Sequence, residues 1–529
     1  MKKIFVLTFV IVSLAFAQSL PFTYELESNK AKKASAANPA SNTIEDIVVD
    51  DNGTIWLATS RGLSKSTDDG EDWTNYYQTE AFGIKKVSKV GYHNGTIWAG
   101  TWDFVEVFGE SQVEGSGLRY STDNGNTWVT IPQPVDDPND LTIQYGDNTL
   151  GNLPVTVEIN NMPYDIDFTS DAIWTANFAG GLRKSTDMGE TWQKVVLPPD
   201  YLDEIHPDDT LNFDLSPSGG NLGFEENFNH RVFSIKVVND NLIFVGTSGG
   251  INKSTDGGVS WKKFNHQNQD QPISGNFIVE LDYDEYTNTI WAATWKANDL
   301  AEYWAVSSSS DGGENWQTHL PDSRAHDFGF KYRFSGVTPT YSEPMIATET
   351  GVFRTSNSGT TWIANPNPID SESGVTLQSS SFRAIEANYK DDFSTDIWLG
   401  SLDGLAKLSE NSTSFWGGDW TVFIASQEIS GEVKAFAFPN PFSPENGRIT
   451  IQYSTGGKDS DVTIRIFDFG MNLVRTVIQN ATRKGAVEKQ LDAWDGRDEN
   501  GDLVPNGVYF YRIDLGSDEP IFGKIMVLM

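Results

Sequence analysis

Between residues 43 and 425 the chain is written in short runs of alternating apolar and polar positions, punctuated by Gly, Asn and Asp. Alternation with period two is the mark of half-buried β-strands, and no long stretch carries the 3.6-residue period of an amphipathic helix. The first unit is the cleanest. Residues 44–49 alternate, and Asp50-Asp51-Asn52-Gly53 reads as a hairpin turn. Residues 54–59 (Thr-Ile-Trp-Leu-Ala-Thr) form a second strand, Arg61-Gly62 turns, and residues 63–67 and 73–77 supply a third and a fourth. The second-strand pattern returns at 95–101, 172–176, 241–247, 289–294, 344–348 and 396–400. Third strands follow it, such as 181–185 (Gly-Leu-Arg-Lys-Ser) and 250–254 (Gly-Ile-Asn-Lys-Ser).

Between the third and fourth strands of each unit stands one motif, S-x-D-x-G-x-x-W. It occurs at Ser66, Asp68, Gly70 and Trp73; at Ser121, Asp123, Gly125 and Trp128; and at Ser185, Asp187, Gly189 and Trp192. It returns at Ser254, Asp256, Gly258 and Trp261 and at Ser309, Asp311, Gly313 and Trp316. Two worn copies follow, Thr355, Asn357, Gly359 and Trp362, then Thr413, Phe415, Gly417 and Trp420, the last without its acid. Successive tryptophans lie 55, 64, 69, 55, 46 and 58 residues apart. The residue types suit a hairpin fastener. Asp accepts from the backbone N–H groups of a tight turn, Gly supplies a positive φ, Ser bonds locally, and Trp opens the next strand with a large ring to bury.

A unit of this length built from four short strands means a repeat architecture, and seven units fit a seven-bladed β-propeller over residues 43–425. The motif resembles the Asp-box (BNR) repeat of sialidases, sortilin-type receptors, xyloglucan-hydrolysing glycosidases and photosystem assembly-factor propellers. That resemblance implies a fold, with structural boxes set away from any active site; function has to be argued from a site. The long connections are where a site is expected: 102–117, 132–161, 198–231, 296–303 and 321–336. Trp102, Phe104, Tyr303 and Trp304 in these insertions are the candidate ligand-binding aromatics.

The two ends differ from the middle. Lys2 and Lys3, an apolar run over residues 4–14, and Ala15-Phe16-Ala17 compose a signal peptide over 1–17, with cleavage before Gln18. Residues 18–42 read as a polar lead-in with a possible short strand at 22–26, and 426–436 as a linker. Residues 437–529 then change character, with strands expected at 449–453, 462–468, 474–479, 485–491, 507–513 and 524–529. This pattern predicts a small immunoglobulin-like β-sandwich, making the chain all-β throughout. Pro439-Asn440-Pro441-Phe442, the 494–502 hairpin (WDGRDENGD), Pro505-Asn506-Gly507-Val508-Tyr509 and the ending at 523–528 resemble two families: flagellar hook-capping Ig-like domains and the C-terminal sorting domains of type IX secretion cargo. The second resemblance implies passage through the type IX secretion machinery and a location outside the cell or on its outer surface.

Charge and chemistry narrow the function. With 73 acids against 38 bases the formal charge is −35, which argues against nucleic acid as a partner. Absence of cysteine excludes disulfides, thiolate metal sites and a cysteine nucleophile. The six histidines show no ligand spacing, and His206 among Asp203, Glu204, Asp208 and Asp209 reads as a solvated acidic loop. Asp498 to Asp502 lacks the glutamate of a calcium loop and reads as a type I′-like Asn-Gly turn. No metal or cofactor is therefore expected, and no transmembrane segment in the mature chain. Arg119, Arg183 and Arg354 sit at or near one repeat position and do not make a sialidase triad. No catalytic residue is assignable among so many acids. The expectation is a secreted or cell-surface propeller that binds a protein or polysaccharide. A glycoside hydrolase using loop carboxylates, or a structural or adhesion component, is the alternative.

Overall fold

The computed structural model describes residues 35–528 apart from 37, 217–226, 336–337, 373–374, 378, 391–393, 411–414, 426–434, 445–446, 486, 488–489 and 517–519. The expected signal peptide, the 22–26 strand, most of the linker, Glu225, Glu226 and Thr413 lie outside the described residues. Among the described residues one short 3-10 turn, Phe228–His230, is the only helical element; the rest is strand, turn and loop.

The body of the molecule is a β-propeller. Among the described residues seven antiparallel sheets share one plan, four consecutive strands paired in order, with Ser35–Ala36 added at the edge of the first and Glu204–Ile205 at the edge of the fourth. Their first strands are Ile44–Val49, Lys86–His93, Pro163–Phe168, Val232–Val237, Phe277–Asp284, Ala325–Ser335 and Phe382–Tyr389. Each sheet is apolar on both faces and packs on the next. Trp56 and Ala58 of the first meet Val90 and Ile97 of the second, and Trp291 of the fifth meets Phe328 and Ile346 of the sixth. The last junction joins the ends of the array: Ile44, Ile47 and Trp73 share a core with Ala384, Trp398 and Phe423.

The box turns show why their residues recur. In the first copy Ser66 Oγ donates to Asp68 Oδ1 at 2.8 Å and accepts the N–H of Gly70 at 2.9 Å, while Asp68 accepts the N–H of Asp72 at 3.0 Å. The fourth copy repeats this at 2.7, 2.8 and 2.9 Å, from Ser254, Gly258 and Ser260. In the sixth, Asn357 takes the place of Asp and still accepts from Thr361 N–H at 2.9 Å. Gly70 (φ +92°) and Gly258 (φ +86°) have a second reason to lack a side chain. A Cβ would lie 3.0 Å from the ring of Trp398 in one case and 2.7 Å from that of Trp174 in the other.

Three expectations about the insertions change. Residues 102–117 are not a loop: Thr96–Val107 and Glu110–Ser121 run on as one long hairpin, turned by Phe108 and Gly109, both at positive φ. Residues 325–335 are not an insertion but the first strand of the sixth sheet, the aromatic–charged alternation of Phe328 to Phe334 being a strand pattern. The 132–161 and 198–231 segments join each other. Thr142–Tyr145 pairs with Asn148–Asn152, which pairs parallel with Asp214–Leu215, and Leu150, Ile205 and Leu215 bury against the third and fourth sheets.

The C-terminal module has two sheets, one of Ala435–Phe438, Ile449–Tyr453 and Gln490–Trp494, the other of Leu473–Arg483, Ser460–Phe467, Gly507–Leu515 and Ile521–Val527. They enclose one core around Ile451, Ile464, Trp494 and Tyr511. Of the strand expected at 485–491, residues 486, 488 and 489 lie outside the described ones; the described strand is Gln490–Trp494, which runs on to carry Trp494 into the core. The 498–502 turn is not of type I′. Gly501 alone has positive φ there, and Asp498 Oδ1 closes it by accepting the N–H groups of Asn500 and Asp502 at 2.8 and 3.0 Å.

Candidate functional site

Chain direction sorts the connections onto two faces. Strands alternate in direction, so the box turns share one face with the first-to-second-strand hairpins. The second-to-third-strand connections and the links between sheets open on the other. Trp102, Tyr303 and Trp304 belong to that second face, where the first strands also begin.

Near its start each first strand carries the same irregularity, one extra residue opposite its partner: Glu45, Ser88, Tyr164, Phe233, Val279, His326 and Arg383. Such a bulge re-aims a side chain. All seven bulged residues line one cavity of about 350 Å³ over the propeller axis, together with Trp102, Met162, Phe277 and Trp295. Aromatic rings form an arc along its wall. Tyr164 meets Phe233 at 5.0 Å, Phe233 meets Phe277 at 4.6 Å, Phe277 meets Trp295 at 5.9 Å, and Trp295 meets His326 at 5.3 Å between centroids. Arg383 Nη1 donates to His326 Nδ1 at 3.0 Å, and burial, helped by Arg383 and Arg324, holds that imidazole neutral with a pKa of about 3. Burial raises the Glu45 carboxyl against the pull of Arg383.

The floor of this vestibule is charged. One residue further along, the first strands present Asp46, Lys89, Asp165, Glu280 and Asp327 around the axis, and two further still, Asp167, Lys236, Asp282 and Glu386. Lys89 Nζ lies 3.2 Å from Glu280, 3.4 Å from Asp46 and 3.7 Å from Asp165. Burial opposes its charge, but these carboxylates and Asp327 hold its pKa well above the ordinary lysine value. Lys236 pairs with Asp282 at 2.5 Å. Burial pushes Asp165 up to about 6 and Glu386 to about 8, and raises Glu280 and Asp327 well above the usual carboxylate range.

These hub acids also fasten the sheets. The first strands of neighbouring sheets do not ladder together, so their inward N–H groups need other acceptors. Asp46 takes Val90 N–H, Asp165 takes Ile235 N–H and Asp327 takes Ile385 N–H, each at 2.7 Å and each from the next sheet. Asp167 takes Val237 N–H at 2.6 Å.

The four candidate aromatics divide. Trp102 is in the vestibule wall, and Phe104 packs edge-on against it at 5.1 Å while remaining 53% exposed. Lys86 lies over both rings at about 5 Å and pairs with Asp103 at 2.9 Å. Trp304 stands behind the wall, stacked on Arg324 at 4.5 Å, whose guanidinium also faces Trp295. Tyr303 lines no part of the vestibule and is 38% exposed. The repeat-position arginines do not converge. Arg119 donates to three backbone carbonyls, Arg183 pairs with Asp136 at 2.6 Å, and Arg354 is buried between Glu343 and Glu410. Around His206 the acids are engaged locally: Asp209 accepts His206 N–H, Asp200 accepts Asn229 N–H, and Asp203 accepts from Asn268. Among the described residues no group of His, Asp and Glu is arranged to hold a metal ion, and no helix is long and apolar enough to cross a membrane.

Of the bulged residues and hub acids the sequence singles out His326 and Asp327, as part of a 321–336 insertion rather than of a strand, and none of the others. A signal was present: each first strand interleaves charge with apolar residues, as in Glu45-Asp46-Ile47, Tyr164-Asp165-Ile166-Asp167 and Glu280-Leu281-Asp282.

No family model matches the chain. A curated relative, the xyloglucanase Xgh74A of Acetivibrio thermocellus, is 27% identical over 173 residues, which is 32% of this chain and 17% of the relative. Among solved structures, an ancestral GH74 enzyme superposes with a TM-score of 0.54 at 13% identity, over 94% of this chain and 64% of its own. The type-IX secretion surface component PorZ of Porphyromonas gingivalis gives a TM-score of 0.38 at 13% identity, over 90% of this chain and 64% of its own. The chain thus spans less than two thirds of each of these proteins, and the GH74 likeness is one of fold.

Proposed function

We propose that this chain is an exported, seven-bladed Asp-box propeller that binds polysaccharide in the axial vestibule, carried with an immunoglobulin-like C-terminal sorting module. The observation that carries the binding reading is the convergence of all seven bulged residues and an aromatic arc on one cavity. Aromatic faces suit the C–H faces of sugar rings, and the nearby carboxyls suit their hydroxyls. The seven-sheet plan with its closed set of interfaces supports the blade count. The two sheets around Trp494 support the immunoglobulin-like reading, and the motifs of residues 439–442, 494–502 and 505–509 support export through type IX secretion, with the mature chain outside the cell.

Affinity electrophoresis in soluble β-glucans tests the site. The wild-type chain is retarded, and Phe233→Ala and Trp102→Ala each weaken binding about tenfold, ~1.4 kcal/mol. Retardation that ignores both substitutions would remove the vestibule from consideration. Intact mass of the secreted protein tests the sorting module: loss of residues 437–529 supports a removable signal, whereas a mass that retains Met529 opposes removal.

A second reading, hydrolysis, has its own observation. Glu45 and Glu280 line the same cavity with carboxyls raised by burial, the state a general acid needs. The xyloglucanase relative and the GH74 fold support it. Release of reducing ends from xyloglucan, abolished in Glu280→Gln with binding retained, would favour it over binding alone.

A further inference from the structure

A second cavity, of about 300 Å³, adjoins the vestibule on the same face. The two share a wall. Asn276 lines the second cavity and Phe277 the vestibule; Trp295 lines the vestibule and Ala297 the second cavity. Their chemistry differs. Asn265, Gln267, Asn276, Asn298, Asp299 and Glu302 dominate the second lining with amides and carboxylates, Phe228 adds a single ring, and among the described residues no lysine or arginine lines it. Glu302, only 4% exposed, holds it together by accepting the N–H of Ala297 at 2.7 Å, the N–H of Asn276 at 3.2 Å and the Asn276 side-chain amide at 3.0 Å. Those bonds tie the segment before the fifth sheet to the connection between its second and third strands. The cavity is therefore shaped before any ligand arrives, which lowers the ordering cost of binding.

Resting on the saccharide reading of the vestibule, we propose that this second cavity is a further subsite, so that the face takes an uncharged polysaccharide chain lying across both. Amides and carboxylates offer the donors and acceptors that hydroxyl groups require, while the vestibule offers rings to stack on. Carboxylates without a lysine or arginine beside them line the second cavity among the described residues, which disfavours an anionic polymer there on electrostatic grounds.

Titration calorimetry of the full chain with a disaccharide and an octasaccharide of one uncharged β-glucan tests this. The octasaccharide is expected to bind at least about tenfold tighter. Asn298 is exposed at the cavity, so Asn298→Arg fills the subsite without touching a core. It should erase that gain and leave disaccharide affinity unchanged, with Asn298→Ala losing part of the gain. Equal affinity for both lengths, or a gain that survives Asn298→Arg, overturns the subsite. Equally tight binding of a polyuronate overturns the uncharged assignment. If the wild-type chain binds neither oligosaccharide, the vestibule reading itself fails, an outcome distinct from loss of the length effect alone.

Discussion

Aspartate does two different jobs on the two sides of this propeller. In the box turns it sits in water and collects N–H and O–H donors. Thr127 and Thr191 hold Asp123 and Asp187 down to a pKa of about 2. In the hub the same residue type is buried. Asp165 rises to about 6 although it accepts Ile235 N–H and lies near Lys89. A hydrogen bond from a backbone N–H is present in both places, so the bond does not decide the sign. Dehydration does, because withdrawing a carboxylate from water costs more than two backbone donors, Ile235 and Ile166, and one shared ammonium return. The boxes are thus fasteners that work while ionised, and the hub is a fastener partly relieved by holding protons.

The largest expected effect comes from breaking the hub. Lys89 is within 4 Å of three carboxylates, and Lys89→Met leaves them facing one another. Removing one partner of a buried ion cluster costs about 3–5 kcal/mol. Urea denaturation at pH 8 should show that loss, and at pH 5 a smaller one, because the acids can take up protons. A loss that is the same at both pH values would mean that the hub carboxylates are ionised throughout, and the contrast with the boxes would fall.

The difference between the regions also explains what could be read from the chain. A box is local: four residue types within eight positions, all serving one turn, so the repeat announced the propeller from Ser66 to Trp316. The hub is assembled from seven segments far apart in sequence, each contributing one bulged residue and one or two charges. Asp46 and Val90 meet only because the sheets are neighbours. Trp102 was legible as an unusual aromatic outside the repeat core, whereas Phe233 looks like an ordinary strand residue until the bulge turns it toward the axis, and Phe277 pairs regularly with Trp295 and looks like one throughout. The second strand of the 96–121 hairpin was hidden because Glu, Ser and Gln there lack the apolar alternation that marks a buried strand.

The two regions should leave opposite marks on the pH dependence of stability. A box carboxyl has a folded pKa below its unfolded value near ~3.9. Its contribution is present above that value and is lost as pH falls through about 2 for Asp123 and Asp187. A hub acid binds its proton more tightly when folded. Its contribution is full below the unfolded value and is lost as pH rises through about 6 for Asp165 and about 8 for Glu386. Stability should therefore climb from acid to about pH 4 and sag toward pH 8. Glu386→Gln should flatten the sag, gaining on the order of 2 kcal/mol at pH 8 and little at pH 4. A stability curve unchanged by Glu386→Gln would show that this acid is hydrated and belongs with the box carboxyls.

The smallest effects belong to the boxes and separate charge from geometry. Asp256→Ala removes the acceptor of Val259 N–H and Ser260 N–H and of two hydroxyls. The turn is exposed, so water replaces much of what is lost, and a cost of about 1 kcal/mol is expected. Asp187→Asn keeps an acceptor oxygen at the same place and gives up only the charge. The sixth copy already makes the trade: Asn357 accepts Thr361 N–H at 2.9 Å and donates its amide to the Thr361 hydroxyl. Asp187→Asn should accordingly lower the thermal unfolding midpoint at pH 7 far less than Asp256→Ala does, and less again at pH 2, where Asp187 itself is half protonated. If the Asn variant instead cost as much as the Ala variant, charge rather than acceptor geometry would be holding the turn, and the box and hub carboxyls would differ in degree, not in kind.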